Sequence, residues 1–447
     1  MHLIIIGNGI TGVTAACTAR RLDPAARITL ISAESTHHYS RPALMYLYLG
    51  HLRYEDAKPY GDWFWAENRL ELLHAEVTSL DLAAQAVQLA EGQRLSYDRL
   101  LLATGSTPRF AGWAGQHLRG VQGLYGLPDL EKMARDTQGI RHAVVVGGGL
   151  IGIELAEMLH ARQIHVTLLV RESHYWAAVL PREEAALVEK QLADHNISVR
   201  LNTEVREVLG DAERRVRAVV ASTGEILPCQ WVGVAIGVQP NVALAQAAGL
   251  DTGRGILVDE CLRTSDPHVY AAGDCAEHRR PGPGEAPVEQ LWYTGRVQGE
   301  TVAHTLCGQP TPYGRGTWFN SANFLALEYQ TYGRVPAVLP PGIATFYWQH
   351  PTKAYLLRIN FRDDERRAVT GMNALGLRQR HAVWEQWLRD KVPVTEVLSQ
   401  LGTANFDPEF FRRHEPAVRR AFHQQFPTLA PGVSPVNRAP ALAGLAR

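Results

Sequence analysis

The feature that most constrains the fold is a pattern that occurs twice: an apolar strand, a glycine turn and a helix rich in small residues. The first copy begins at Leu3 and the second at Ala143, and a β-rich run follows each helix, at residues 28–31 and 165–170. Strand, helix and strand at this spacing form the βαβ unit of a parallel sheet. Two copies predict an α/β protein with two nucleotide-binding domains.

Composition narrows the class of protein. A chain of 447 residues is expected to hold two or three domains. The formal net charge is zero, so no overall field would attract nucleic acid or an anionic membrane, and no apolar run approaches the ~18 residues of a transmembrane helix. The five cysteines are scattered without a CxxC pair, which argues against a metal site or a disulfide framework and favours the cytoplasm.

The first glycine turn, at residues 7–12, has the spacing of a dinucleotide-binding loop. Gly7 permits the tight turn, Gly9 lets the backbone approach a pyrophosphate, and Gly12 lets the helix lie close to the strand. The helix N-terminus then presents unpaired N–H groups to the phosphates. Glu34 follows at the end of the second strand, where an acid can accept hydrogen bonds from ribose hydroxyls.

The second glycine turn repeats this arrangement with Gly147, Gly149 and Gly152, and Glu154 lies just inside the helix. An acid at this place is either functional or simply favoured by the helix dipole. Two nucleotide folds in one chain imply two nucleotides that face each other, one resident and one exchanging. A resident flavin that is reduced by an exchanging nicotinamide nucleotide would account for this arrangement.

Three further segments extend the pattern: residues 102–109, the group of Gly237, Pro240 and Asn241, and residues 270–274. With the two glycine motifs, they occur in the order typical of the two-dinucleotide-binding flavoproteins. Residues 1–310 therefore resemble the FAD-dependent pyridine-nucleotide oxidoreductase superfamily. The resemblance implies that FAD and NAD(P)H are the cofactors.

The resemblance also implies a domain organisation. We expect an FAD-binding domain at residues 1–108 and 240–309, with a Rossmann-like NAD(P)-binding domain inserted at 109–239. A C-terminal α+β domain follows at 310–426. In it we expect strands at 323–332, 345–349 and 354–361, a helix that carries Trp384 and Trp387 on one face, and a helix capped by Asp407. Residues 427–447 are expected to form a flexible tail.

The resemblance assigns cofactor-binding roles to residues that match the family motifs. Arg41 and Arg109 would contribute positive charge near the flavin, unless they are ordinary surface arginines. Asp274 would bind the polar chain of the flavin, or cap a helix. Trp292 would close over the flavin ring, or pack in the core. The cofactor-binding residues assigned in this way are Gly7, Gly9, Gly12, Glu34, Arg41, Pro42, Val77, Ala103, Thr104, Gly105, Arg109, Gly147, Gly149, Gly152, Arg171, Glu172, Gly237, Gly273, Asp274 and Trp292.

Residues 39–42 resemble the ferredoxin, rubredoxin and nitrite reductase branch of the superfamily. No cysteine occurs at residues 35–60, so a redox-active cysteine pair beside the flavin is excluded. That branch usually has a lysine four residues after the proline, paired with the glutamate of the second glycine motif. Here Tyr46 replaces the lysine while Glu154 is kept. We assign both residues to the nicotinamide side, where they would orient the carboxamide or gate access.

The choice between NADH and NADPH depends on the end of the second strand in the inserted domain. Arg171 stands where a ribose-binding acid is common, and a guanidinium there can pair with a 2′-phosphate. This favours NADPH. Glu172, one residue later, leaves NADH open, and Arg171 is otherwise a solvated charge at a strand end.

The resemblance implies an enzyme that passes hydride from NAD(P)H to FAD and electrons onward to an acceptor, such as a small iron–sulfur protein of the ferredoxin type. Two alternatives stay open at this point. One is a reductase of quinones or oxygen, and the other is a redox-sensing interaction protein without fast turnover. A second copy of the chain is also a candidate partner.

Overall fold

The computed structural model describes residues 1–406 and 412–429. Contacts divide the chain into two compact units, Met1–Ala177 with Val188–Gly316, and Ala178–Leu187 with Thr317–Arg447. The cap predicted at Asp407 and most of the predicted tail lie outside the described residues. The boundaries between the two cofactor-binding domains stay a prediction. No helix in the described ranges combines the length and apolar character needed to span a membrane.

The first sheet of the larger unit is parallel, and its strands are, in order, β19 (Val269–Ala271), β7 (Arg99–Leu102), β1 (His2–Ile6), β2 (Arg27–Ser32) and β3 (Leu70–His74). Leu3, Ile4 and Ile5 of its central strand are fully buried, because helices or loops cover both faces of such a sheet. The chain between β3 and β7 forms a small antiparallel sheet, β4-β5-β6. The elements of this segment are β1 (His2–Ile6), α1 (Ile10–Leu22), β2 (Arg27–Ser32), α2 (Leu44–Tyr48), α3 (Asp62–Glu67), β3 (Leu70–His74), β4 (Val77–Asp81), β5 (Ala86–Leu89), β6 (Arg94–Ser96), β7 (Arg99–Leu102) and β8 (Ser106–Pro108).

The second sheet repeats the design of the first, with the parallel order β12-β11-β10-β16-β9. A three-stranded antiparallel sheet, β13-β14-β15, follows within the same segment. The two Rossmann-like sheets predicted from the repeated βαβ pattern are thus confirmed. The elements are β9 (Val121–Gln122), α4 (Leu127–Asp136), β10 (His142–Val146), α5 (Leu150–Ala161), β11 (His165–Leu169), α6 (Arg182–Asp194), β12 (Ser198–Arg200), β13 (Val205–Gly210), β14 (Val216–Ala221), β15 (Ile226–Pro228), β16 (Trp231–Val234) and β17 (Val238–Pro240).

Two short strands join the segments that carry the two parallel sheets. β17 pairs antiparallel with β8, and Pro240 lies opposite Ser106. The chain therefore leaves the first sheet region and returns to it at one place. The remaining elements of the larger unit are α7 (Ala243–Ala247), β18 (Ile256–Val258), β19 (Val269–Ala271), a 3-10 turn (Gly273–Cys275), β20 (Ala276–His278) and α8 (Trp292–Leu306).

The smaller unit is built on a five-stranded antiparallel sheet in the order β21-β22-β25-β24-β23. Trp384 and Trp387 are both buried on one face of a helix, as predicted. This sheet and its helices confirm the expected α+β class of the C-terminal region. The elements are β21 (Phe319–Phe324), β22 (Leu327–Gly333), β23 (Ile343–Gln349), β24 (Leu356–Arg362), β25 (Val369–Leu375), α9 (His381–Arg389), α10 (Val394–Ser399) and α11 (Glu415–Gln425).

One predicted strand of this sheet is wrong in its extent. Residues 323–332 do not form a single strand but belong to a hairpin, in which Phe324 pairs with Leu327. The turn between them contains Leu325 at a φ of 58°, a conformation that apolar residues rarely adopt. The sequence offers no glycine or asparagine there, so local patterns could not reveal the turn.

A buried ion pair stabilises the smaller unit. The Arg358 guanidinium donates to both carboxylate oxygens of Glu184, at 2.6 Å and 2.9 Å, and also to Glu183 at 2.8 Å. The side chain of Glu184 is 0% exposed, whereas that of Glu183 is 52% exposed. Asn373 donates a further hydrogen bond to Glu184 at 3.3 Å. The Glu184 carboxylate is therefore buried with matched donors.

We expect Glu184→Ala to lower the free energy of unfolding of the smaller unit by about 3–5 kcal/mol, because Arg358 would stay buried without its main partner. Glu183→Ala, which removes the exposed partner of the same arginine, should cost about 1 kcal/mol or less. Urea unfolding followed by tryptophan fluorescence measures both. If both variants lost the same free energy of unfolding, burial of the Glu184–Arg358 pair would not be the cause of the larger loss.

Candidate functional site

The glycines of the first turn hold the start of α1 against the end of the parallel sheet. Gly7 has a φ of +109°, and a Cβ there would lie 2.1 Å from the Ala103 carbonyl oxygen. A Cβ at Gly12 would lie 2.0 Å from the Gly7 carbonyl oxygen. Both distances exclude any side chain. The roles predicted for Gly7 in the turn and for Gly12 in close packing therefore have a direct structural cause.

Gly9 differs from these two glycines. A Cβ there would meet no protein atom within 4 Å, and the backbone is extended, with a φ of −67°. The protein itself would therefore accept a side chain at this position. Gly9 is also the N-cap of α1, and no side chain caps the N–H groups at the start of this helix. An open space in front of uncapped helix N–H groups fits the pyrophosphate of a dinucleotide.

Neighbouring side chains hold this turn in shape. The Asn8 amide donates to the Ser35 carbonyl oxygen at 2.7 Å, and His38 Nδ1 donates to the Asn8 carbonyl oxygen at 2.9 Å. Burial lowers the pKa of His38 to about 4, so the ring is neutral near pH 7. The turn is thus fixed by hydrogen bonds before any ligand binds.

Glu34 lies two residues beyond the end of β2, which stops at Ser32, so its prediction as a strand-end residue is wrong by two positions. Its carboxylate accepts hydrogen bonds from Tyr39 and from Arg41, and from the Leu127 N–H at 3.0 Å. Burial alone would raise the pKa of Glu34, but the Arg41 guanidinium and these donors lower it. The carboxylate is ionised and holds Arg41 in place.

Arg41 also reaches the segment before α4. Its guanidinium donates to the Tyr125 carbonyl oxygen at 2.9 Å and lies 4.5 Å from the centre of the Tyr125 ring. Pro42 follows in the 3-10 turn Arg41–Ala43. Arg41 is thus held within a cluster, whereas Arg109, assigned to the same role, is exposed and donates its backbone N–H to Gly237 at 3.0 Å.

The two crossing segments lock together at the edge of the first sheet. Thr104 donates its hydroxyl to the Asn241 carbonyl oxygen and Asn241 donates its amide to the Thr104 carbonyl oxygen, each at 2.8 Å. The Asn241 N–H also donates to Gly105 at 2.9 Å. Ala103, Thr104 and Gly105 therefore form a rigid corner beside the first glycine turn, and their assignment to cofactor binding stays a prediction.

Asp274 lies beside this corner, in the 3-10 turn after β19. The Tyr125 hydroxyl donates to its carboxylate at 3.2 Å, and burial raises the pKa of Asp274. The preceding residue, Gly273, has a φ of +79° and donates its N–H to Gln298 at 2.7 Å. Tyr125, Ser106 and the backbone of Asp274 itself donate hydrogen bonds to this carboxylate. A carboxylate offers about four acceptor positions, so it can also accept a hydrogen bond from a ligand hydroxyl, which fits the role predicted from the motif.

Thr11 is the point at which α8 meets the first turn. A Cβ at Gly273 or at Gly295 would lie 2.4 Å or 2.9 Å from the Thr11 hydroxyl oxygen. A Cβ at Gly299 would lie 2.5 Å from the Thr11 carbonyl oxygen. Glycines on α8 thus allow close packing on α1.

Trp292, which the sequence assigned to the flavin ring, is the first residue of α8 and is half-buried.

The second glycine turn reproduces the first. A Cβ at Gly147 would lie 2.2 Å from the Ala235 carbonyl oxygen, and one at Gly152 would lie 2.0 Å from the Gly147 carbonyl oxygen. A Cβ at Gly149 would meet only Trp176 Nε1, at 4.0 Å. This cradle is therefore open in the same way as the first, with an indole at its edge. It fits a second dinucleotide.

Glu154 and Tyr46 lie on two helices that pack together, α5 and α2. Burial and the nearby Glu157 raise the pKa of Glu154 to about 7. Within the described part of the chain, no hydrogen bond joins Tyr46 to Glu154. Tyr46 is 37% exposed. Glu154 can therefore change its charge near neutral pH, whereas Tyr46 lies on the neighbouring helix without a hydrogen bond to it.

The end of the second strand in this sheet has a mixed charge. The Arg171 guanidinium, 70% exposed, donates to the Glu172 carboxylate at 3.0 Å. β11 itself stops at Leu169. Arg171 is therefore neutralised in part by its neighbour.

Two further residues assigned to cofactor binding have structural positions of their own. Val77, assigned to the flavin side, begins β4 and packs against the apolar core of the first sheet. Gly237 has a φ of +106°.

The fold and the two cradles define a protein with two dinucleotide-binding sites in one compact unit. A family model described as pyridine nucleotide-disulphide oxidoreductase matches residues 1–299. The terpredoxin reductase of a Pseudomonas species is 35% identical over 322 residues, which cover 71% of this chain and 77% of the relative. The rubredoxin-NAD(+) reductase of Pseudomonas putida is 31% identical over 314 residues, which cover 70% of this chain and 81% of the relative.

Among solved structures, a ferredoxin reductase from Rhodopseudomonas palustris is similar, with a TM-score of 0.76 and 28% identity. The match covers 84% of this chain and 91% of that one. The chain belongs to the pyridine nucleotide-disulphide oxidoreductase family. It is an FAD-dependent NAD(P)H oxidoreductase, in which hydride passes from NAD(P)H to FAD and electrons pass on to an acceptor.

Several residues of the site were not found from the sequence. Thr11 lies inside the first motif, but its contacts come from α8. Tyr125 precedes the start of α4, where the Asp129 carboxylate accepts from the N–H groups of Tyr125 and Gly126 at 2.9 Å and 3.1 Å. An acid at that place signals a helix start. Nothing local signals that Trp176 borders the second cradle.

We expect Gly9→Ala to fold but to bind FAD at least about tenfold more weakly, because its Cβ would occupy only the space of the pyrophosphate. Gly149→Ala is the matched variant, and it should weaken nucleotide binding while FAD stays bound. Flavin absorbance after gel filtration and nucleotide titration measure the two effects.

Gly12→Ala is the contrasting control, because its Cβ would clash with the Gly7 carbonyl oxygen rather than with a ligand. This variant should lose stability whether FAD is present or not. Full retention of FAD by Gly9→Ala would show that the open space is not the pyrophosphate site.

Proposed function

We propose that the protein takes hydride from NADH and delivers electrons one at a time to a small iron–sulfur protein. The observation that carries this proposal is the pair of matching cradles in one unit, with no cysteine at residues 35–60. An internal disulfide beside the flavin, the electron acceptor of disulfide reductases, is therefore lacking. Electrons that reach the flavin must leave to an external acceptor.

The relatives support the identity of this acceptor. Terpredoxin reductase and rubredoxin-NAD(+) reductase are named for small redox proteins, and each aligns with about 70% of the chain. A flavin suits this task because it accepts two electrons and can release them singly. A quinone or oxygen reductase, or a redox sensor without turnover, is not favoured by these relatives.

The residues of the chain have separable tasks in this proposal. The uncapped start of α1 at Gly9 would hold the pyrophosphate of FAD, and Asp274 would accept hydrogen bonds from the hydroxyls of its chain. The Thr104 corner would keep the ring region rigid. Glu154 would lie beside the nicotinamide, where its charge favours the cationic, oxidised form of the nucleotide.

We propose NADH as the donor, in place of the NADPH that Arg171 alone favours. Glu172 pairs with Arg171 at 3.0 Å, so a 2′-phosphate there would meet a carboxylate as well as a guanidinium. Glu172 would accept hydrogen bonds from the ribose hydroxyls of NADH. The name of the Pseudomonas putida relative also supports NAD(+).

We also propose a cytoplasmic location. The five unpaired cysteines support it, because thiols stay reduced in that compartment.

The acceptor is tested by parallel turnover assays with NADH and with NADPH. Cytochrome c serves as the final detector, with and without a bacterial ferredoxin or rubredoxin, and oxygen and a soluble quinone are tried in its place. We expect NADH oxidation to accelerate at least about tenfold when the iron–sulfur protein is added, since it relieves the slow exit of electrons.

A rate with quinone or oxygen that exceeds the rate with every iron–sulfur protein tried would overturn the proposed acceptor. A higher kcat/KM with NADPH than with NADH, lost selectively in Arg171→Ala, would overturn the proposed donor. Glu172→Gln is the matched variant, and it should weaken NADH binding while leaving FAD in place.

The raised pKa of Glu154 predicts a pH dependence of binding. The carboxyl is neutral below about pH 7 and charged above it. Because NAD(+) carries a cationic nicotinamide, its affinity should rise about tenfold between pH 6 and pH 8, with a midpoint near pH 7. NADH has a neutral ring, so its affinity should change little over this range. Fluorescence or calorimetric titrations measure both constants.

Glu154→Gln should remove the pH dependence and leave the NAD(+) affinity near its low-pH value. Glu157→Gln removes a charge that helps to raise the pKa of Glu154, so this variant should keep the pH dependence of NAD(+) binding and move its midpoint to lower pH. A pH profile that is identical in wild type and Glu154→Gln would place the nicotinamide elsewhere.

A further inference from the structure

Tyr48 is the last residue of α2 and is only 2% exposed. Its hydroxyl lies 2.7 Å from the Thr137 hydroxyl, just after the end of α4. Thr137 donates its own proton to the Met133 carbonyl oxygen at 2.7 Å, so the Tyr48 hydroxyl is the donor to Thr137. This buried bond joins the flavin-binding segment to the first helix of the nucleotide-binding segment.

The same tyrosine also contacts the end of α5. The Arg162 guanidinium donates to the Tyr48 carbonyl oxygen at 2.6 Å and stacks 3.7 Å from the centre of its ring. α5 begins at the second cradle, with Gly149 as its N-cap, and Arg162 is its C-cap. Tyr48 therefore holds the far end of the helix whose near end forms the nucleotide cradle.

α4 is fixed at its other end by the residues that surround Glu34. The Leu127 N–H donates to Glu34 at 3.0 Å, and Arg41 donates to the Tyr125 carbonyl oxygen at 2.9 Å. The helix spans about 15 Å and is thus attached at both ends to the segment of residues 34–48. That segment also carries Tyr46.

We propose that Tyr48 is a positioning residue that sets the alignment of the two bound cofactors for hydride transfer. The inference rests on the proposed function, and it adds a residue that no cofactor-binding motif contains. Hydride transfer requires donor and acceptor atoms about 3–3.5 Å apart in a fixed orientation, and small misplacements slow it strongly. Tyr48 acts on that alignment through α4 and α5, without contacting either cofactor itself.

The test compares flavin reduction in variants that lose the Tyr48–Thr137 hydrogen bond. Tyr48→Phe keeps the ring that stacks on Arg162 and removes the hydroxyl, which interacts with both Thr137 and Arg162. Thr137→Val removes the bond from the other side and leaves the Tyr48 hydroxyl in place. Tyr97→Phe is the matched control, since Tyr97 is also a buried tyrosine of the flavin-binding segment but its hydroxyl has no partner among the described residues.

Stopped-flow reduction at saturating nucleotide should be about three- to tenfold slower in Tyr48→Phe and in Thr137→Val, with FAD content and nucleotide Kd unchanged. The double variant should be no slower than Tyr48→Phe alone, because that variant has already lost the bond to Thr137. The deuterium isotope effect from C4-labelled nucleotide should depend more strongly on temperature than in wild type. Tyr97→Phe should match wild type in rate and isotope effect.

The inference is overturned if Tyr48→Phe and Thr137→Val reduce the flavin as fast as wild type, even if their melting temperatures fall. If Tyr48→Phe does not fold, Thr137→Val decides the question by the same measurement. A wild-type protein that neither NADH nor NADPH reduces would instead overturn the proposed function, so the two failures are distinguishable.

Discussion

The site depends on backbone contacts that only glycine permits. In the first turn the Gly7 and Gly12 positions leave 2.1 Å and 2.0 Å between a Cβ and the nearest carbonyl oxygen, and in the second turn Gly147 and Gly152 leave 2.2 Å and 2.0 Å. These contacts bring each helix directly onto the end of its strand. The N–H groups of the helix start then face an open cradle, which is what a pyrophosphate requires.

Around the first cradle, most charged groups have protein partners of their own. Glu34 and Arg41 bind each other, and together they hold the start of α4. Their ion pair therefore joins residues 34–41 to the start of α4, independently of any ligand. Asp274 differs from Glu34 because burial raises its pKa, although Tyr125 and Ser106 donate hydrogen bonds to it. Its carboxylate keeps acceptor positions for ligand hydroxyls.

The nicotinamide side is less strongly defined by charge. Burial and the neighbouring Glu157 raise the pKa of Glu154 to about 7. A carboxyl in this state can respond to the charge of the bound nucleotide. The alignment of this side with the flavin side then relies on packing and on buried hydrogen bonds such as that of Tyr48.

The sequence by itself determined the two parallel sheets and the two cradles, because glycine spacing and strand periodicity are local signals, and the cofactors followed from the resemblance of its ordered motifs to a known family. It placed the end of the second strand two residues too late and missed the turn at Leu325. Only the tertiary structure decided the partners of Glu34, Tyr48 and Arg358. The partners that join distant segments, Leu127, Thr137 and Glu184, lie 93, 89 and 174 positions away in the chain. Sheet order and helix packing bring them together, and no local pattern encodes that.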